Sequence, residues 1–336
     1  MDIQLSDRIN SIRPSPTLAV NAKAEALRAA GHDIIGLGAG EPDFATPKHI
    51  KEAAIQAINA GFTHYTAVDG IPELKRAIID KLQRDSQLQY KPEQILVSCG
   101  GKHSIFNLLQ SLLNPGDEVI VPAPYWVSYT DMSILCGAVP VIVYAGIEQR
   151  FKITPEQLDK AITPKTKLFM INSPSNPSGM AYTKEELAAL GEVLRKHPHV
   201  LIMSDDIYEH ILWSSEPFAN IVMACPDLYD RTIIINGVSK AYAMTGWRIG
   251  YSAGPAQLIK AMHKMQSQTT SNPCSIAQKA AVAALNGDQS CIALMNNSFK
   301  ERQEYVHQEL NNIPGIECLN GDGAFYVFFK VQGLID

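Results

Sequence analysis

The chain has 336 residues, 46% of them hydrophobic and 19% charged, an ordinary globular composition with room for one large domain and a smaller one. A net charge of -5 and an isoelectric point near 6.0 exclude bulk attraction to nucleic acid or an anionic membrane, so any anion site must be local. No run of about eighteen apolar residues occurs, and the first residues carry Asp2, Asp7, Arg8 and Arg13 rather than an apolar leader, so a cytoplasmic protein is expected.

In chain order, the stretch 5–31 carries a helical pattern around residues 20–30, expected to pack with the C-terminal part. Six short apolar runs then read as strands buried on both faces: 95–97, 118–121, 140–144, 167–171, 200–203 and 232–235. Helical patterns lie between them. Thr154-Pro155-Glu156-Gln157 and Thr183-Lys184-Glu185-Glu186 have the capping-box spacing, a hydroxyl followed three residues later by Gln or Glu. From Pro255 the pattern turns helical over 255–268, 276–285 and 290–311, followed by short strands near 316–318 and 325–331. This order predicts an α/β fold, a mostly parallel sheet with helices on both faces, and a crossing into a second domain.

Several nucleotide, metal and hydrolase motifs are absent. Gly36-Leu37-Gly38-Ala39-Gly40-Glu41 has glutamate in place of the third glycine of a dinucleotide fingerprint, and Gly100-Gly101-Lys102 lacks the upstream glycine of a P-loop. There is no Gly-x-Ser-x-Gly elbow and no His-Glu-x-x-His, and six scattered cysteines without Cys-x-x-Cys speak against zinc and against a disulfide framework. His197 and His199 flank Pro198 between a helix and a strand, where a solvated turn is expected rather than a metal pair.

The chemistry gathers at the strand ends, where open α/β sheets form their ligand crevice. Strand 232–235 delivers Lys240 to a turn of small residues, so its amine is expected in a partly dry pocket, with a lowered pKa that suits condensation with a carbonyl. Ser239 and Arg248 would suit a phosphate on the same ligand. Gly100 and Gly101 let backbone N–H groups approach an anion at the start of a helix over 104–113, although a plain tight turn reads the same way. Asn172 to Gly179 is by itself a turn. Asp205, ending strand 200–203, would be costly to bury unless a protonated ring nitrogen paired it, and Tyr208 could reach the same ligand. A helix N-cap is the competing role for Asp205 or Asp206. Trp126 could stack on a flat ring or pack in the core.

Taken together, Ala39 to Phe44, His64-Tyr65-Thr66 with Gly70 to Leu74, Gly100 to Lys102, Tyr125-Trp126, Asn172 to Gly179, Ser204 to Tyr208 and Ser239 to Arg248 resemble the fold-type I pyridoxal-phosphate enzymes of the class I aminotransferase family. The resemblance spans about residues 5–330 and runs toward the bacterial aspartate aminotransferases. It implies a three-layer α/β/α large domain over 47–288, an N-terminal arm and part of a small domain over 1–46, and a small, incomplete α+β domain over 289–336. It implies pyridoxal 5′-phosphate held by Lys240 as a Schiff base, with Lys240 then shuttling the substrate α-proton. Asp205 would keep the pyridine nitrogen protonated, Tyr208 and Asn176 would bond the ring's phenolic oxygen, and Trp126 would stack on the ring. Gly100, Gly101, Ser239 and Arg248 would hold the phosphate, beside Lys102, and Tyr65 would reach the phosphate of a neighbouring subunit in a homodimer. Substrate would meet the Gly40 backbone, Trp126, Asn176 and, through its distal carboxylate, Lys102.

The implied reaction is amino transfer from L-aspartate or a related amino acid to 2-oxoglutarate, in ping-pong fashion. Asn-Pro-Ser-Gly stands where Asn-Pro-Thr-Gly is commoner, and Gly237 where some relatives have serine; both are mild departures. Family members continue past the strand at 325–331 and there carry an arginine for the substrate α-carboxylate. This sequence reads to Asp336 with no Phe-x-Arg-x-Ser segment downstream of Tyr326, so the expectation is a shortened form with a weakened substrate grip and an apolar edge at 325–331. A crippled cofactor-binding paralogue, and a carbon–sulfur lyase or an enzyme with another donor, remain open alternatives.

Overall fold

Seven strands form one sheet in a computed structural model that describes residues 3–14 and 16–335; Met1, Asp2, Ser15 and Asp336 lie outside the described residues. The strands are β1 (Ile95–Ser98), β2 (Glu118–Ala123), β3 (Val139–Tyr144), β4 (Thr166–Asn172), β5 (Leu201–Asp205), β6 (Thr232–Gly237) and β7 (Gly250–Ala253). Their spatial order is β1-β7-β6-β5-β4-β2-β3. β2 through β6 pair in parallel, whereas β7 runs antiparallel to both β1 and β6.

The six expected strands all form, but β3 lies at the sheet edge with Val139, Ile142 and Tyr144 exposed, so it is not buried on both faces as its apolar run implied. β7 was not legible, because Gly-Tyr-Ser-Ala has neither apolar alternation nor β-branched residues. Its direction matters for the site. Running backwards, β7 begins at the edge where the parallel strands end, so the residues just before it join theirs. Gly250 is wedged there, paired with Ser98 on one side and Gly237 on the other, and a Cβ on it would collide with the backbone of Gly100 and Gly101.

Alternating side chains fill two apolar layers. Ile95 and Val97 of β1 and Ile234 of β6 face one layer, which holds Leu74, Ile78, Leu187 and Leu190 from helices Pro72–Ser86 and Lys184–Lys196. Leu96, Ile233 and Ile235 face the other, with Ile105 and Leu108 of helix Gly101–Leu112 and Ile259 and Met262 of helix Ala256–Ser267. The central strands are thus covered on both sides, the three-layer arrangement the apolar runs imply. Both predicted capping boxes form, at Thr154 with Gln157 and at Thr183 with Glu186.

The C-terminal part departs from expectation. Residues 325–331 yield only β9 (Phe329–Lys330), paired antiparallel with β8 (Glu317–Cys318). Ala324 takes a left-handed φ of 52° and its N–H donates to Ile211 O at 2.7 Å, which turns the segment inward. Phe325 and Tyr326 are therefore half-buried against Tyr208 and Phe299 and form no exposed apolar edge. Residues just ahead of helix Lys48–Asn59 reach the long helix Ser290–Asn311: Asp43 accepts from Arg302 at 2.8 Å and Phe44 packs edge-on against Phe299.

Beneath the β1 end sits Gln266, fully buried. Its Oε1 accepts from Ser98 Oγ at 2.7 Å and Asn107 Nδ2 at 2.9 Å, and its Nε2 donates to Val68 O at 2.6 Å and Val97 O at 2.8 Å. All the amide's strong positions are used, and they fix the turn that follows Ser98. Gln266→Leu leaves these partners unsatisfied in an apolar layer and should lower stability by about 3 kcal/mol, read as a clear drop in thermal midpoint.

Candidate active site

Five parallel-running strand ends and the start of β7 open into one cleft, and most of the residues singled out in the sequence line it. Gly101 and Lys102 open the helix Gly101–Leu112 that follows β1, Trp126 follows β2, Asn176 follows β4, and Asp205 and Tyr208 lie at the end of β5. Ser239 and Lys240 follow β6, Arg248 precedes β7, and Gly40 enters from the N-terminal segment. Tyr65 and Gly100 are the exceptions: Tyr65 stands 91% exposed and does not line the cleft of its own chain, and Gly100 lies behind it against the Arg248 guanidinium.

Asp205 sits at the floor, 5% exposed. Its Oδ2 accepts from Tyr129 Oη at 2.6 Å and its Oδ1 accepts from the Ile207 N–H at 3.3 Å. Burial pushes its pKa from 3.8 up to about 6, and the Tyr129 hydroxyl, the Ile207 amide and the charge on Lys240 hold it from rising further. The next carboxylate faces away. Asp206 accepts from Ser204 Oγ at 2.6 Å and Asn220 Nδ2 at 2.8 Å, a structural pairing outside the cleft. Neither aspartate caps a helix, since residues 207–210 form a turn rather than the helical start the sequence allowed.

Lys240 is largely enclosed. Its Nζ donates to Gly40 O and lies over the rings of Phe325 at 5.6 Å and Tyr208 at 5.8 Å. Burial lowers its pKa to about 8, with the Arg248 charge acting in the same direction and Glu41 and Asp205 opposing. A useful fraction of the amine is therefore neutral near physiological pH, the state that attacks a carbonyl.

Gly100, at φ 90°, lies where any Cβ would collide with the Arg248 guanidinium. This glycine lets Arg248, itself at a left-handed φ of 56°, lie across the start of helix Gly101–Leu112. Arg248 donates only to backbone carbonyls, Thr245 O at 2.8 Å and Cys99 O at 3.4 Å, and has no carboxylate partner among the described residues. The helix's first turn contains no acidic residue. A guanidinium, a helix N-terminus and the lining residue Ser239 make one anion cradle. Lys102 Nζ lies 4.8 Å above the Trp126 ring, its pKa lowered by burial and by Arg248.

Three contributors were not legible. Tyr129, three residues after Trp126, carries no motif of its own, and only the fold brings its hydroxyl to Asp205. Tyr326 reaches the cleft from the far C-terminal segment. Behind the site, buried Glu209 accepts from Lys81 and, at 2.7 Å, from Asn236 Nδ2, tying the turn that bears Tyr208 to the strand that leads to Lys240. The only hint of it in the sequence is a lysine amid the apolar face of helix Pro72–Ser86. His197 and His199 lie far from the cleft, on Asp159 at 3.0 Å and Thr163 O at 3.2 Å.

The sequence pattern described as aminotransferase class I and II matches residues 32–334. The chain belongs to that family. It is 60% identical over 333 residues to an aspartate/prephenate aminotransferase of Nitrosomonas europaea, covering 99% of this chain and 84% of that protein. It is 54% identical over 327 residues to an aspartate aminotransferase of Geobacillus stearothermophilus, covering 97% and 83%. The crystal structure of the aspartate aminotransferase from Rhizobium meliloti superposes with a TM-score of 0.96 at 48% identity, covering 99% of this chain and 83% of that one. That of the Thermus thermophilus aspartate aminotransferase with maleate superposes with a TM-score of 0.93 at 43% identity, covering 98% and 85%. This is an aminotransferase fold throughout the described residues, and none of their helices is long and apolar enough to cross a membrane.

The raised pKa of Asp205 gives a stability prediction for the ligand-free protein. Below about pH 4 the group is protonated folded or unfolded, whereas above about pH 6 the folded state holds a buried charge, so stability is lost as pH rises through that window. Asp205→Asn should therefore stabilise the cofactor-free protein at pH 8 by about 2–4 kcal/mol, and the gain should vanish at pH 4. Thermal midpoints at the two pH values check this.

Proposed function

We propose that the chain transfers the amino group of L-aspartate, or a close relative, to 2-oxoglutarate with pyridoxal 5′-phosphate bound in this cleft. The observation that carries the reading is Asp205, a buried carboxylate with no cation in contact, facing the same cleft as a depressed lysine amine and an anion cradle. A phosphorylated pyridine aldehyde matches these features with one molecule: a phosphate for Arg248 and the helix start, a ring nitrogen for Asp205 and a carbonyl carbon for Lys240. When bound, the cofactor supplies the electrophilic carbon and the electron-accepting ring that amino transfer needs.

The protein's own groups have separable tasks. Asp205, oriented by Tyr129, holds a proton on the ring nitrogen and so keeps the ring electron-poor. Lys240 Nζ, with a pKa near 8, both accepts and returns the substrate α-proton near neutral pH. Gly100, Gly101, Ser239 and Arg248 would hold the phosphate and Trp126 would stack on the ring. Tyr208 and Asn176 would hold the ring's oxygen. Gly40 presents its backbone to the substrate carboxylate, beside Lys240. Lys102, partly buried yet without a carboxylate partner among the described residues, would take the distal carboxylate of a dicarboxylic substrate. The maleate in the Thermus thermophilus structure, a dicarboxylate, supports that class of ligand.

In the same reading the protein is a cytoplasmic homodimer in which exposed Tyr65 serves the neighbouring subunit's phosphate. Residues 47–288 would form the cofactor-binding body, with 1–46 and 289–336 completing the cleft from the other side. The contacts of Asp43 and Phe44 with the long C-terminal helix favour this division.

Two experiments test the reading. Reconstituted with pyridoxal 5′-phosphate, the protein should show a visible absorption band that bleaches with aspartate, and Lys240→Ala should lose the band and at least about a thousandfold in turnover. Full activity in that variant would refute the assignment. Lys102→Met should raise KM for aspartate about tenfold while changing kcat little, and should leave a donor without a distal carboxylate nearly unaffected.

A further inference from the structure

The C-terminal segment sends one hydroxyl into the cleft that the reading above leaves without a task. Tyr326 Oη lies 2.7 Å from Tyr208 Oη and 3.3 Å from Asn176 Nδ2. Its ring packs against Tyr208 at 5.6 Å and 85° and against Phe325 at 5.0 Å and 39°. A Cβ on Gly40 would stand 2.6 Å from the same oxygen, so the phenol is wedged between the Gly40 loop and the turn that carries Asn176. The position is held from behind, where Ala324 and Phe325 join Ile211, Met295 and Phe299 in a small apolar cluster.

Either phenol can be the donor in this contact, and only one direction leaves the Tyr208 proton for the cleft. Between two phenols, one donates and one accepts. The Asn176 amide nitrogen can only donate, and the asparagine's backbone N–H is already anchored on Asn172 Oδ1 at 2.8 Å. The arrangement that leaves the Tyr208 proton for a ligand in the cleft is the one in which Tyr326, accepting from Asn176, gives its own proton to Tyr208. The chain then runs from Asn176 Nδ2–H to Tyr326 Oη–H to Tyr208 Oη, and the Tyr208 proton is left facing the cleft. Each link polarises the next in such a chain, so the last donor is strengthened. Burial keeps both phenols protonated at neutral pH, with Tyr326 pushed up to about 12 and Tyr208 well above its usual value.

We infer that Tyr326 is a positioning residue that fixes the direction of this hydroxyl chain, so that Tyr208 meets the ring oxygen of the bound cofactor as a proton donor. The inference rests on the cofactor reading above and adds to it a residue outside every sequence motif. Packing alone would be served equally well by phenylalanine; the hydroxyl is what sets the direction.

The test is a pH titration of visible absorbance in the full chain reconstituted with pyridoxal 5′-phosphate, for the unmodified protein, Tyr326→Phe, Tyr208→Phe and the double variant. The cofactor dissociation constant is measured on the same samples. A donor at the ring oxygen favours the high-pH form, in which that oxygen carries its full negative charge, so losing the donor raises the midpoint. Tyr208→Phe should raise it most, Tyr326→Phe by about half a pH unit, and the double variant no further than Tyr208→Phe alone, because the Tyr326 effect runs through Tyr208. Tyr326→Met, which lacks the hydroxyl by a different side chain, should reproduce the Tyr326→Phe shift. An unmoved midpoint in Tyr326→Phe, or a shift that adds in full to that of Tyr208→Phe, overturns the inference while the cofactor reading stands. Absence of a pH-sensitive band in the unmodified protein overturns both.

Discussion

The site is organised around a buried charge that the protein alone does not neutralise. Asp205 ends β5 on the floor of the cleft with one tyrosine hydroxyl and one long amide contact, and burial alone drives its pKa upward. Such a carboxylate costs folding free energy in the cofactor-free protein, and a cationic ring nitrogen delivered by a ligand would offset that cost. The same burial that disfavours the charge would make the pairing with a proton on the ring strong, because the local dielectric is low. In the proposed reading, instability without cofactor and reactivity with it are two consequences of one placement.

The rest of the architecture serves that placement. Parallel strands bring Asp205, Asn176 and Lys240 to one edge, and the reversed β7 adds Arg248 from the opposite chain direction. Glycines at 100 and 250 allow the anion cradle to close, since side chains there would strike Arg248 or the backbone of the β1 turn. Behind the site, Lys81, Glu209 and Asn236 lock the Asp205–Tyr208 turn to β6, so the Asp205 carboxylate and the Lys240 amine keep a fixed separation. The C-terminal segment closes the remaining side through Phe325 and Tyr326.

Much of this was legible in the sequence, and what was missed has physical reasons. Strands buried on both faces announce themselves as apolar runs, and capping boxes announce helix starts, so β1, β2, β4, β5 and β6 and the helices at Thr154 and Thr183 were readable, whereas β3 has the same apolar run on an exposed edge. Lys240, Asp205 and Arg248 were readable because a reactive lysine, a carboxylate at a strand end and an arginine near a glycine turn have no common structural role together. β7 was silent because its four small or polar-flanked residues owe their conformation to neighbouring strands. Tyr129 and Tyr326 were silent because their value lies in a partner some 76 and 118 residues away, respectively, and long-range pairing leaves no local pattern. The apolar stretch 325–331 misled for the opposite reason: its pattern suits a strand, but inward packing of Phe325 and Tyr326 against the cleft wall overrides that preference.

The central claim is that the buried Asp205 carboxylate awaits a cationic partner in the cofactor. Isotope-edited infrared titration of the aspartate carboxyls, with Asp205→Asn used to assign the Asp205 band, tests it most directly. The account predicts a midpoint near 6 in the cofactor-free protein. Once pyridoxal 5′-phosphate is bound, that midpoint should fall by at least about two units, because the protonated ring nitrogen holds the carboxylate ionised. An Asp205 midpoint that is the same with and without cofactor would contradict the account, since the carboxylate would then have no part in holding the ring.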